Sequence, residues 1–233
     1  MKELLFVILL ISPGWVMGQE KIKGLGEFKI NESDTIVVYQ YAQKANKIIG
    51  VLCNMIDESR KNSEFVYKLQ KDEGPHTLNP IYYSLCPEVV VFSIPTYKVA
   101  GIEITNMHLY FYQNKLVRIS SDGSYSLMNA LETKYGAPQF YTHEGTTEVT
   151  LKATKSKIDM PEKTYFNTWN NEGISATCTL TDSFDEDGVK ELSSFFWIED
   201  TSAYQIAKGC DQEARKILKE KEKEENKRKL LEL

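Results

Sequence analysis

Four cysteines, three histidines and one run of acids are the residues of this chain whose chemistry could define a function. Cys53, Cys86, Cys178 and Cys210 form no C-x-x-C pair, and no H-x-x-x-H spacing occurs, so the close ligand pairs of a zinc site are missing. An even cysteine count suits disulfides in an oxidising compartment, where four cysteines allow three pairings. The most local pairing, Cys53–Cys86 with Cys178–Cys210, would close loops of roughly 30 residues, each worth about 3–4 kcal/mol of chain entropy. His76 and His143 stand beside Pro75 and Glu144 in loop-like segments and read as solvated. His108 alternates with Tyr110 and Tyr112, so an imidazole and two phenols share one face of a strand. That strip could contact a ligand or partner through flat aromatic area, or pack beneath a second layer. His108, Tyr110 and Tyr112 are therefore the candidate contact residues.

The stretch from Ser183 to Gly188 puts Asp185, Asp187 and Gly188 at positions three, five and six of a calcium loop. Position twelve falls on Ser194, where a bidentate Glu is required, so the stretch reads as an acidic hairpin tip. No nucleophile elbow, phosphate-binding loop, zinc-protease helix or dinucleotide fingerprint is present. No catalytic residue, metal ligand or cofactor follows from the sequence. Carboxylates paired across the fold, as in glycoside hydrolysis, are the enzymatic alternative. Two short modification patterns also occur: the sequon Asn31-Glu32-Ser33, and Asp34-Thr35-Ile36, which resembles the Asp-Thr/Ser-aliphatic sites that Bacteroides-like bacteria O-glycosylate.

The 233 residues carry 28 basic and 33 acidic side chains, a net charge of −5, without a basic patch, which argues against nucleic acid as a partner. With 42% hydrophobic and 26% charged residues the chain has the composition of a globular protein. At its start, Lys2, the apolar run Leu4 to Ile11, the Pro13-Gly14 break and small Gly18 have the layout of a secretory signal peptide over residues 1–18. The run is too short for a membrane span, and no cysteine near the cut offers a lipid anchor. A periplasmic or extracellular location follows.

Between leader and tail the hydrophobic pattern predicts an α+β body over residues 19–202, of antiparallel hairpins packed with a few helices, divisible near 85–105 into two small sheet-plus-helix units. Gly24 to Ile30 reads as a strand, the segment after Asn31 as a helix, and Ser63 to Gln70 as a second short helix with Phe65 and Leu69 on one side. Cys86 to Ser120 turns to β. A loop of three residues, Gln113 to Lys115, would set Phe111 opposite Val117 and Leu109 opposite Ile119. Ser124 or Ser126 can cap a helix carrying Leu127, Leu131 and Tyr135, ended by Gly136. Glu148 to Ala153 reads as a strand, residues 152–163 as a polar connection, Tyr165 to Thr181 as a hairpin and Ser194 to Glu199 as a last strand. Residues 203–233 form a charged C-terminal helix that docks through Ile206, Cys210, Ala214 and Ile217.

The segments LYFYQNKLVRIS, SLMNALETKYGAP and TWNNEGISATCTL resemble exported proteins of Bacteroides-like bacteria that carry a strand–turn–strand ahead of a helix ending in K-Y-G-x-P. The likeness spans Met107 to about Leu180 and brings no catalytic residue with it. It implies a cell-envelope location, and the repeated sheet-plus-helix plan is similar in architecture to small envelope binding modules and secreted inhibitors. The function expected is an exported, non-enzymatic binding protein, with an envelope protein or a ligand as partner. A hydrolase with paired carboxylates, or an assembly factor docking through its C-terminal helix, are the alternatives.

Overall fold

A computed structural model describes residues 21–53, 62–70 and 83–231; the leader and His76 lie outside them. In chain order the elements are β1 (Gly24–Leu25), β2 (Phe28–Lys29), α1 (Ile36–Lys44), β3 (Ile48–Leu52), β4 (Phe65–Leu69), β5 (Val89–Val99), β6 (Ile102–Tyr112) and β7 (Lys115–Asp122). Then follow α2 (Tyr125–Tyr135), β8 (Gln139–Thr150), β9 (Lys157–Asn171), β10 (Ile174–Phe184), β11 (Lys190–Asp200) and α3 (Thr201–Leu231). β1 and β2 form a small hairpin, and the other nine strands make one sheet in the order β3-β4-β5-β6-β7-β11-β10-β9-β8. A helix followed by strands laid side by side in chain order thus occurs twice, and the last strands of the two sets, β7 and β11, pair antiparallel at the middle of the sheet. Residues 85–105 run through β5 into its hairpin without a break; the second unit begins at α2.

The α+β class and the long C-terminal helix agree with the sequence reading, but the sheet is mixed. β3 and β4 run parallel, with Ile48 opposite Phe65 and Leu52 opposite Leu69. The helix expected over Ser63 to Gln70 is β4. Its five residues alternate: Val66 is fully buried on one face, while Phe65 and Tyr67 stack at 5.5 Å on the other. Aromatic and β-branched residues favour that pleated packing over a helical face.

The main core lies on one face of the sheet. There α1 and the β1–β2 hairpin place Phe28, Val38, Tyr41 and Ala42 against Phe92, Ile94, Tyr97 and Phe111. The rings of Phe28, Tyr41 and Tyr97 meet pairwise at 5.4–5.5 Å. Gly26 is required beside them: its φ is +56°, and a Cβ would sit 1.9 Å from the Tyr97 hydroxyl. α2 covers the same face further along. Ser124 Oγ accepts the Leu127 N–H, and Leu127, Leu131 and Tyr135 are buried. The Trp169 indole closes the far end by donating to the Gly136 carbonyl at 2.7 Å.

The hairpins show how the register is set. Three of them turn in two residues that both have positive φ: Ala100-Gly101, Gln113-Asn114 and Glu172-Gly173. At β6–β7, Leu109 does face Ile119, but Phe111 faces Leu116 because the tight turn is corrected by a bulge at Val117. At β5–β6, Pro95 and Asn106 form no pair, and Asn106 has φ +51°. The register is the same on both sides of this position, but the in–out alternation of both strands shifts by one residue, so Ile94 and Tyr97 on one, and Met107 and Ile104 on the other, all reach the core.

β9 begins at Lys157, so most of the polar connection expected over 152–163 is strand, and β8 begins at Gln139. Before Lys163, β9 pairs only with β8, a mostly polar ribbon laced by Lys157–Glu148 and Lys163–Glu144 ion pairs, with Val149 and Ile158 opposite each other on its one partly buried face.

Burial raises three titrating groups. The Tyr97 phenol, desolvated and donating to Glu27 Oε2 at 2.6 Å, is raised well beyond its ordinary value. Burial pushes Tyr41 up to about 12 and the Cys178 thiol up to about 12. A raised folded value favours the protonated form, so the stabilisation is complete below the unfolded values of 9.0 and 10.0 and is lost as pH climbs toward 12. The melting temperature should therefore hold steady to about pH 8 and fall steeply between pH 9 and 12. Melting followed by circular dichroism checks this, and a flat profile through that window contradicts it.

Candidate functional site

On the face opposite the core, strand register lays side chains out in rows. The first row is Tyr110, Arg118 and Glu199. The second is His108, Ser120, Trp197, Thr177 and Thr168. The third is Asp122, Phe195, Thr179, Phe166 and Tyr141. From these rows Tyr110, Arg118, His108, Ser120, Trp197, Asp122, Phe195, Thr179 and Phe166, with Asn106 and Thr164, line a cleft of about 530 Å³. Every strand of its floor has a neighbour on each side, which holds the floor rigid.

One end of the cleft is closed by α3. The helix starts directly after β11, and Asp200 Oδ1 caps it by accepting the Ala203 N–H at 2.8 Å. Tyr204 on its first turn lies 4.5 Å over the Arg118 guanidinium and meets Tyr110 edge-on at 6.0 Å. Arg118 also lies 5.3 Å from the Trp197 ring and is ion-paired with Glu199, the two side chains being 20% and 10% exposed. The cation is thereby neutralised and held between two rings.

Further along, α3 is fastened to the segment 83–86. Cys86 and Cys210 are bridged. Asp211 Oδ1 accepts from Ser84 Oγ at 2.9 Å and from the Leu85 N–H at 2.5 Å, and Arg215 donates to the Tyr83 carbonyl at 2.7 Å. Together these cover a small second core of Leu52, Leu69, Tyr83 and Val91. The local disulfide pairing is therefore corrected: Cys86 bonds Cys210 and neither Cys53 nor Cys178. Cys178 is a buried, unbridged thiol on the core face of β10. Sequence separation ranks loops by length, whereas the bridge follows from α3 folding back against the segment 83–86, a contact between distant segments that spacing does not reveal. The docking face of α3 is corrected as well. Cys210 and Ala214 lie on its partly covered side, but Ile206 and Ile217 are 59% and 45% exposed, and buried Ala207 takes their place. The bridge and the Tyr204–Arg118 stack set that rotation.

Of the three strip residues, His108 is buried at the cleft wall and Tyr110 is half-covered by Tyr204. Tyr112 lies apart, at the β6–β7 turn, where a hydrogen bond to Glu88 raises its phenol pKa. Sequence reasoning missed Arg118, Asp122, Phe166, Phe195 and Trp197. Alternation within β7, β9 and β11 would have grouped them, but only strand order brings β7 beside β11.

A second concavity of about 410 Å³ lies on the core face beyond α2, lined by Met128, Phe140, Tyr165, Leu180 and Leu192 with Cys178 beneath. Its thiol is held neutral by burial and so is a poor nucleophile. At the acidic tip, Asp185 Oδ1 accepts the Asp187 and Val189 N–H groups at 2.9 Å, and Lys152 approaches Asp187 at 3.4 Å. Among the described residues no cluster of His, Cys, Asp or Glu could hold a metal ion, and no helix is long and apolar enough to cross a membrane. His143 is exposed on edge strand β8. The Asn31 amide donates to Asp200 at 2.7 Å and the Thr35 hydroxyl to Asn114 at 2.7 Å, so both small modification motifs are engaged in the fold.

Comparison of this chain with protein-family models, curated proteins and solved structures finds no match.

Proposed function

We propose that this is an exported, non-enzymatic binding protein whose ligand site is the polar and aromatic cleft over β6, β7, β11, β10 and β9. The observation that carries the reading is the cleft itself: rings and hydrogen-bonding groups converge on a rigid floor, in the size range of small-molecule sites. Export is supported by the leader-like start of the chain and by the Cys86–Cys210 bridge, which suits an oxidising compartment. The resemblance of residues 107–180 to exported proteins of Bacteroides-like bacteria points the same way. The carboxylates of the cleft favour binding over hydrolysis. Glu199 is engaged by Arg118, and Asp122 Oδ2 accepts from Thr105 at 2.8 Å and Asn106 at 2.7 Å, so each is held by partners within the fold.

The test is native mass spectrometry of the protein recovered from its own cell envelope, without reductant. A bound species should accompany the wild type and Leu192→Ser, which alters the opposite face, and be lost from Phe195→Asp. Phe195 is 54% exposed, so that substitution leaves the core intact. Equal retention by all three proteins, or no bound species in any, overturns the assignment.

A further inference from the structure

Resting on that reading of the cleft, we infer that its ligand is an uncharged oligosaccharide. Charge makes the first selection. Arg118 is the one Lys or Arg among the residues lining the cleft, and Glu199 neutralises it. The remaining fixed charge is Asp122, so phosphates, nucleotides and carboxylates meet no open cation and one repelling anion.

Polarity makes the second. Ser120, Thr164, Thr179, Asn106 and Asp122 stand among Phe166, Phe195 and Trp197. An acyl chain would strip water from Ser120 and from the hydrogen-bonding capacity that Asn106, Asp122, Thr164 and Thr179 do not use within the fold, at a cost of about 1–3 kcal/mol for each group left unmatched. A sugar matches both kinds of surface, with C–H faces for the rings and hydroxyl edges for the polar groups. Thr105 and Asn106 both donate to Oδ2 of Asp122, which leaves Oδ1 to take a sugar hydroxyl in a charge-assisted bond.

Backbone makes the third. The floor strands are paired on both sides, so an extended peptide finds no edge to join by strand addition. Phe166 and Phe195 face each other across Thr179, which is buried, so a ring can settle between two aromatic walls on a small hydroxyl floor. Tyr141 stacks on Phe166 at 4.5 Å and extends that wall toward the β8 edge, giving a track longer than one sugar.

A glycan array followed by calorimetry tests this, with cellotetraose, maltotetraose and N-acetylchitotetraose as neutral probes, and oligogalacturonate and heparin tetrasaccharide as anionic ones. A neutral glycan should bind the mature wild-type protein. Phe195→Ala and Asp122→Asn should each weaken that binding roughly tenfold or more, while Leu192→Ser leaves it unchanged. Binding of anionic glycans alone, no neutral glycan bound anywhere on the array, or neutral binding indifferent to both cleft variants overturns the inference. If neutral glycans fail while the species recovered from the envelope still depends on Phe195, the ligand class falls and the site stands. If that species is also indifferent to Phe195→Asp, both fall.

Discussion

Replacing both Cys86 and Cys210 by Ser is expected to cost the protein about 4–5 kcal/mol of stability, the largest effect of any change away from the main core. The bridge spans 124 residues, and closing so long a loop removes that much entropy from the unfolded chain. The loss reaches further than the bridge. Tyr83, Leu85 and Val91 belong to the small second core or pack against it, and α3 covers them only while Cys210, Asp211 and Arg215 hold it down. Urea unfolding of the oxidised wild type against the double variant reads the difference. Wild type in reductant should match the variant, because the same covalent constraint is gone from both. A difference below about 1 kcal/mol would mean that α3 is not fastened to the segment 83–86 through this bridge.

Arg118→Met should cost about 3–5 kcal/mol, because it leaves the Glu199 carboxylate, 10% exposed, without its cation. The guanidinium also joins the two units: it stands on β7, pairs with Glu199 on β11, and lies between Trp197 and Tyr204. Removing both charges together, in Arg118→Met with Glu199→Leu, should restore most of the stability, since no buried charge is then unpaired. Chemical denaturation of the two single variants and the double variant measures the coupling. Additive losses would show that the pair is solvated and does not neutralise the cleft.

Much of the second unit was legible because its signals are local. Ser124, the four-residue spacing of Leu127, Leu131 and Tyr135, and Gly136 fix α2 without help from the rest of the chain. Glu172-Gly173 likewise fixes the β9–β10 hairpin. Where tertiary packing decides, the pattern misleads. Phe65 and Leu69 satisfy a helical spacing as well as a strand, and burial of Val66 against the core selects the strand. Most of the cleft was hidden for a related reason. His108 and Tyr110 could be picked out within one strand, but Asp122, Phe195 and Phe166 meet only because β7 lies against β11, a neighbour distant in sequence. The disulfide was hidden by the same distance, since its two halves come together only after α3 has packed across the sheet.

Backbone amide shifts of the isotope-labelled mature protein, titrated with the soluble fraction of its native envelope, test the placement of the ligand site most directly. The cleft predicts perturbations grouped at Asn106, Ser120, Asp122, Phe195 and Trp197, with Met128, Leu180 and Leu192 undisturbed. Perturbations confined to that second group would put the ligand on the opposite face of the sheet and contradict the account.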